Sequence, residues 1–306
     1  MSRLSCSSFS KQVHNALEKT VDRPLPHFTI HQPADFEEAA FYSKILSKLS
    51  PTVGNILEYS LTKTLASALG GDWERQDPDF PDIIYKTSDR AIRFGVEIKT
   101  WYPLATEATA RFKESQSHLK NDCILLALIA WVPSHIIFGS PTIVDIFIDN
   151  SYNIAKSRDE NYHNPPYNIL LEPIDTSNRT RNLQQRVVTA NRLQSEHLPE
   201  GVDPLKEVKS LAEKYGIENP YQYSIDSAYQ EFIRRLASRL PYRSETNFGK
   251  LDRIPYGPLS SFIESTASAT IRGMTISEWK LALRELTRKG EVSPLAAQAV
   301  ALLGIS

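Results

Sequence analysis

The sequence predicts an α/β or α+β fold, a mixed central sheet flanked by helices. Three observations lead there. The order of periodic segments runs helix, helix, strands, helix, strands, then mostly helices. The run ILLALIAWV, residues 124 to 132, is apolar without alternation, as a strand covered on both faces would be. Before it, AIRFGVEIKTW alternates apolar and polar side chains over residues 91 to 101, the period of a half-buried strand.

The first 34 residues are mixed in character and interrupted by Pro24, Pro26 and Pro33, and are expected to form an arm. Asp35 opens a helix that runs to about Leu49. Pro51 starts a second helix, with Val53, Ile56, Leu57, Leu61 and Leu65 as its apolar stripe and Gly70-Gly71 as its end. Glu58 sits at the rim of that stripe. A strand at Asp82–Tyr85 precedes the alternating strand, and residues 104 to 121 read as a helix or long crossover. Further strands are expected at TIVDIFID and YNILLEPI. Near the C-terminus, Thr275-Ile-Ser-Glu278 is a capping box ahead of Trp279, Leu283 and Leu286. Ser293-Pro294 then starts a last helix, apolar nearly all round and expected to be buried or at a subunit interface. The expected division is an arm at 1–34, a catalytic core at 35–175, and a helical recognition and dimerisation region at 176–306.

With 306 residues the chain can bury a sizeable core, and no apolar run is long enough for a membrane helix. The N-terminus lacks the apolar segment of a secretory signal. Two cysteines make no disulfide framework, so the expected compartment is a reducing bacterial or archaeal cytoplasm, with Cys123 packed as a small hydrophobe.

Chemistry concentrates in residues 80 to 103. Alternation puts Phe94, Val96 and Ile98 on one face and Arg93, Gly95, Glu97 and Lys99 on the other. Asp82 begins the preceding strand, so a strand pair can set its carboxylate beside Glu97. Two converging carboxylates form a hard-oxygen site suited to Mg2+, and Lys99 adds a cation able to stabilise charge on phosphorus or polarise water. Gly95 is expected to leave open space for a substrate backbone. Left to itself, a Glu-x-Lys triplet is an exposed ion pair worth about 0–1 kcal/mol. The upstream Pro-Asp, the Glu-bearing helix and the apolar strand that follows set this one apart.

Pro81-Asp82 and Glu97-Ile98-Lys99, fourteen residues apart, resemble the PD-(D/E)XK nucleases, the fold shared by most type II restriction endonucleases. The resemblance covers roughly residues 52 to 175, and Glu58 stands where many members carry a further Glu. In DPDFPD, Pro78-Asp79 offers a second Pro-Asp, with Asp82 preferred because a strand follows it at once. The resemblance implies a restriction-endonuclease-like core whose Asp82 and Glu97 bind Mg2+, with Lys99 assisting the water and Glu58 completing the site. It implies hydrolysis of double-stranded DNA that leaves 5′-phosphates. It further implies a homodimer cutting both strands of a palindrome and a cognate DNA methyltransferase encoded separately. A repair or recombination nuclease of the same fold, or a DNA-binding module without catalysis, remain as alternatives.

Two other features bear on function. Residues 176 to 195 contain no acid and carry Arg179, Arg181, Arg186 and Arg192 among amides that include Gln184 and Gln185. Arg reads guanine and Asn or Gln reads adenine, so the tract is the expected DNA-reading surface. Arg234, Arg235, Arg239 and Arg243 form a second group, softened by Asp226 and Glu231 and expected to be an ordinary helix face. Asn164-Pro165-Pro166-Tyr167 resembles the catalytic loop of adenine-N6 DNA methyltransferases. It follows a polar stretch, and no Gly-x-Gly or GK[ST] occurs, so it reads as a turn. His27 and His31 lie in an extended stretch and make no zinc pair.

Overall fold

A computed structural model describes residues 4–76, 79–87, 92–105, 110–161, 168–171, 190–193, 202–220, 224, 226–240, 242–244, 249–286 and 293–305. In chain order the helices are α1 (Cys6–Glu18), α2 (Phe36–Ile45), α3 (Ser50–Leu69), α4 (Gln116–Leu119), α5 (Ser151–Asn161), α6 (Pro204–Lys214), α7 (Ser227–Arg239), α8 (Gly257–Ser268), α9 (Ile276–Leu286) and α10 (Pro294–Leu303). The strands are β1 (Asp72–Arg75), β2 (Ile83–Lys86), β3 (Phe94–Trp101), β4 (Cys123–Pro133), β5 (Pro141–Asn150), β6 (Asn168–Leu171), β7 (Ala190–Leu193), β8 (Tyr242–Ser244), β9 (Thr270–Ile271) and β10 (Met274–Thr275). The mixed α/β architecture matches the sequence expectation.

The chain divides into two compact units. The first holds residues 1–110, 124–149 and 257–306, and the second holds residues 111–123 and 150–256. The expected boundary near 175 is not where the chain divides, because its last fifty residues join the first unit. Phe262 of α8 packs edge-on to Trp101 and against Phe147, and Thr266 Oγ1 donates to Asp145 at 3.2 Å.

The first unit is built on a five-stranded mixed sheet in the order β1-β2-β3-β4-β5. β1 and β2 pair antiparallel, as do β2 and β3, with Ile83 opposite Val96 and Ile84 opposite Gly95. β4 is buried along its whole length, as its unbroken apolar run requires. β1 is an added strand that the polar segment DWER does not announce. β3 departs from expectation in one respect: Phe94 to Ile98 are all buried, so both of its faces are covered there.

The N-terminal segment is not a free arm. Phe9, Val13, Ala16 and Leu17 bury one stripe of α1, and Ser5 caps its start by accepting from Ser8 N–H. Phe9 stacks on Trp73 with ring centroids 5.8 Å apart and meets Phe94 edge-on at 5.1 Å. Beyond the helix, Asp22 and Leu25 donate to Ile143 and Pro141, and Ile30 exchanges hydrogen bonds with Gly139, so the chain lies along β5. Those contacts occupy polar groups that an edge strand would otherwise expose.

α3 follows its predicted stripe, burying Val53, Leu57, Leu61 and Leu65 and ending at Gly70 with φ +67°. The Thr275–Glu278 capping box forms: Glu278 N–H donates to Thr275 Oγ1 at 3.1 Å, and Thr275 N–H to Glu278 at 2.7 Å. α10 buries Ala296, Ala299 and Leu303. Both cysteines, Cys6 and Cys123, are disulfide-bonded, which corrects the expectation of a small packed thiol at Cys123 and removes the ground on which a reducing compartment was expected.

Of residues 104 to 121, expected as a helix or long crossover, the described ones are helical only in the single turn α4. Arg158, fully buried, holds the segment before α4: it donates to the Phe112 and Glu114 carbonyls at 2.8 Å each, and its charge is met by Asp159. β6, β7 and β8 form a three-stranded sheet, β6 parallel and β8 antiparallel to β7. α6 and α7 pack through Val208, Leu211, Phe232, Ile233 and Leu236.

Candidate active site

The register of β2 on β3 assembles the site. Continuing the pairs Ile84–Gly95 and Ile83–Val96 by one residue sets Asp82 opposite Glu97. Asp82 N–H donates to Glu97 Oε2 at 3.3 Å, and Ile98 N–H donates to Asp82 Oδ2 at 2.6 Å. Lys99 Nζ donates to the other oxygen of Glu97. Asp79 stands exposed outside this arrangement, so of the two Pro-Asp aspartates only Asp82 meets the Glu-x-Lys strand.

Glu58 approaches from α3. Arg75 of β1 grips its Oε2 through Nε at 2.9 Å and Nη2 at 2.7 Å. Sequence reasoning missed Arg75, since DWER carries too short an alternation to mark a strand. Its signal was only a cation seventeen residues after Glu58, and nothing local says that α3 and β1 fold back on each other.

The site is less wet than a sheet edge would suggest. Glu97 is 8% exposed, and the Lys99 side chain 25%. Gly95 does not open a space beneath it, since a Cβ there would stand 2.5 Å from Pro81 Cγ and 2.7 Å from the Ile83 carbonyl oxygen. Its lack of a side chain instead lets the chain segment carrying Asp82 lie close on β3.

Electrostatics follow from that burial. Desolvation first, then the Glu97 charge, push the Asp82 carboxyl up to about 7; Lys99 and the Ile98 N–H pull the other way, and Glu58 adds to the rise. For Lys99, burial works against the ammonium, but Glu97 and then Asp82 and Glu58 outweigh it, leaving its pKa above the ordinary lysine value. Lys99 is therefore a fixed cation at neutral pH, a donor rather than a base.

Among the described residues, no three His, Cys, Asp or Glu side chains stand together as a metal-holding group. Asp82 and Glu97 form a pair, and Glu58 is turned to Arg75. The donor chemistry of that pair nevertheless suits a hard divalent cation, because added positive charge would relieve the repulsion that raises Asp82.

Arg179, Arg181, Arg186, Gln184 and Gln185 lie outside the described residues, as does the tetrapeptide at 164–167. Arg192 falls in β7, where its backbone pairs with Leu170 and Arg243. His27 and His31 lie in non-helical chain, as expected. No helix among the described residues is long and apolar enough to cross a membrane. No family model, curated protein or solved structure matches this chain.

Proposed function

We propose that this chain is a Mg2+-dependent endodeoxyribonuclease that hydrolyses double-stranded DNA at a specific sequence, as type II restriction enzymes do. One observation carries the reading. The β2–β3 register puts Asp82 beside Glu97, with Lys99 hydrogen-bonded to the same Glu97 carboxylate, at the start of an antiparallel pair followed by a fully buried strand. The residue types, their spacing and the order of elements agree with the resemblance to PD-(D/E)XK nucleases.

In this reading Asp82 and Glu97 would hold Mg2+, which would supply Lewis acidity for activating water and offsetting phosphoryl charge. Lys99, kept protonated by its carboxylate neighbours, donates a hydrogen bond to the attacking water or the developing phosphorane. Arg75 fixes Glu58 close enough to raise Asp82 through space, a positioning role. In-line attack leaves a 5′-phosphate. Cutting both strands of a palindrome calls for a homodimer with a two-fold axis, and a separately encoded methyltransferase would protect the host sites.

Incubation of supercoiled plasmid with the protein in Mg2+, and in EDTA, tests this. Discrete linear fragments in Mg2+ alone are expected, with Lys99→Ala inactive but still folded and DNA-binding. A Lys99→Ala protein that cuts like wild type would overturn the assignment. A smear would indicate a nonspecific repair-type nuclease, and intact but shifted DNA a binding module.

A further inference from the structure

The geometry points to a second functional place: the groove between α6 and α7 is a phosphate-binding cleft for a nucleic-acid backbone. It names a surface that would hold the substrate of the proposed nuclease, and rests on that reading only for which nucleic acid is held.

The cleft is a cavity of about 310 Å³ lined by Leu211, Lys214 and Tyr215 from α6 and by Arg235 and Arg239 from α7. Three of its five lining residues are cations, one is an aromatic ring, and none is an acid. The sequence expectation for this helix was an ordinary mixed face. The structure shows why the acids do not cancel it. Glu231 is bound to Arg234 and to Nε of Arg235 at 2.7 Å, and Glu207 is bound to Nη1 of Arg239 at 2.5 Å. Neither carboxylate lines the cavity.

Each acid therefore engages one nitrogen of a guanidinium, Nε of Arg235 and Nη1 of Arg239, and leaves the other nitrogens to the cleft. Arg carries five N–H donors in a rigid fork, so a guanidinium held at one nitrogen still presents donors on the others. That is the geometry in which Arg grips phosphate oxygens bidentately. Lys214 adds a point charge and lies 6.0 Å from the Tyr215 ring centroid. Set against Lys214, Arg234, Arg235 and Arg239, the two carboxylates of Glu207 and Glu231 and about half a negative charge from the C-terminal end of each helix leave a surplus of about one positive charge.

The remaining lining argues for a nucleotide unit rather than a bare anion. Leu211 is buried and the Tyr215 ring is half-buried, so both offer an apolar wall beside the cations. A ring next to cations suits a sugar or base whose phosphate rests on Arg235, Arg239 and Lys214. The helices keep this spacing because Val208, Leu211, Phe232 and Ile233 are packed beneath it.

The test is binding of a fluorescent DNA duplex, followed by anisotropy in EDTA over a range of KCl concentrations. Lys214→Ala with Arg235→Ala should weaken binding and make log K against log salt shallower by about two units, one for each lost phosphate contact. Arg239→Lys, which keeps the charge beside Glu207, serves as the variant that preserves packing, and should cost less than the double change. Equal melting temperatures separate lost contacts from lost fold. An unchanged affinity and salt slope in a folded double variant would overturn the cleft. So would saturation by inorganic phosphate or a mononucleotide with no competition from DNA, since the cleft would then serve a free small ligand. The outcome is separable from the catalytic reading: a wild-type protein that never cuts, but loses DNA binding in the double variant, keeps the cleft and removes the nuclease.

Discussion

Asp82 is where sequence and burial combine into a measurable property. Its carboxyl sits near pH 7, against an ordinary value of 3.8, first because it is desolvated and second because Glu97 faces it. The sign of the stability effect follows from linkage. A carboxyl whose folded-state pKa is raised favours folding while protonated, so its contribution is full below about pH 4 and is lost as pH climbs through 7. Metal-free protein should therefore melt lower at pH 8 than at pH 5.5 by an amount that Asp82→Asn removes. Thermal melts in EDTA across that range check it, and parallel profiles for the two proteins would show that Asp82 titrates normally. Glu97→Gln should bring the Asp82 pKa down, read by carboxyl NMR. Asp82, Glu97 and Lys99 were all legible from spacing alone. Arg75 was not, because its partner lies on a different element and the pairing exists only after α3 turns at Gly70 into β1.

Among the elements, β3 shows how a local pattern can be right in phase and wrong in surroundings. Alternation located Glu97 and Lys99 on one side correctly, yet the strand is buried on both sides from Phe94 to Ile98. Gly95 is the residue that this covering demands. Gly95→Ala would drive a methyl into Pro81 and the Ile83 carbonyl, a clash with backbone that cannot rotate away. The expected cost is about 1–3 kcal/mol, together with reduced cleavage because Pro81 carries Asp82. Denaturant titration and plasmid cleavage measure the two, and a fully stable, fully active variant would mean the segment shifts freely. The caps depend on neighbours along the chain: Asp35, Gly70, the Thr275 box and Ser293 all act through groups within four residues of one another.

For the whole molecule, the ends of the chain complete a unit whose middle carries the site. α1 supplies Phe9 to the Trp73–Tyr85–Phe94 cluster, and the chain after it lies along β5. Removing residues 1–34 should uncover that aromatic cluster and the β5 edge together, giving a protein that aggregates and melts without cooperativity. Size-exclusion chromatography and calorimetry of the truncated chain check this; a monodisperse, cooperatively melting product would return these residues to the status of an arm.

The sequence by itself determined whatever depends on neighbours along the chain: the α3 stripe, the buried run of β4, the capping residues, and the Asp82, Glu97 and Lys99 triad set by strand period and one short connection. Tertiary structure alone decided the features that join distant segments. These are the packing of α1 against β1 to β3, the return of α8 to Trp101, the grip of Arg75 on Glu58, and the cationic groove of α6 and α7. The reason is physical. Period and caps are fixed by steric and hydrogen-bonding rules within a few residues, whereas burial, ion pairing and pKa depend on which surfaces meet, and no local rule records that.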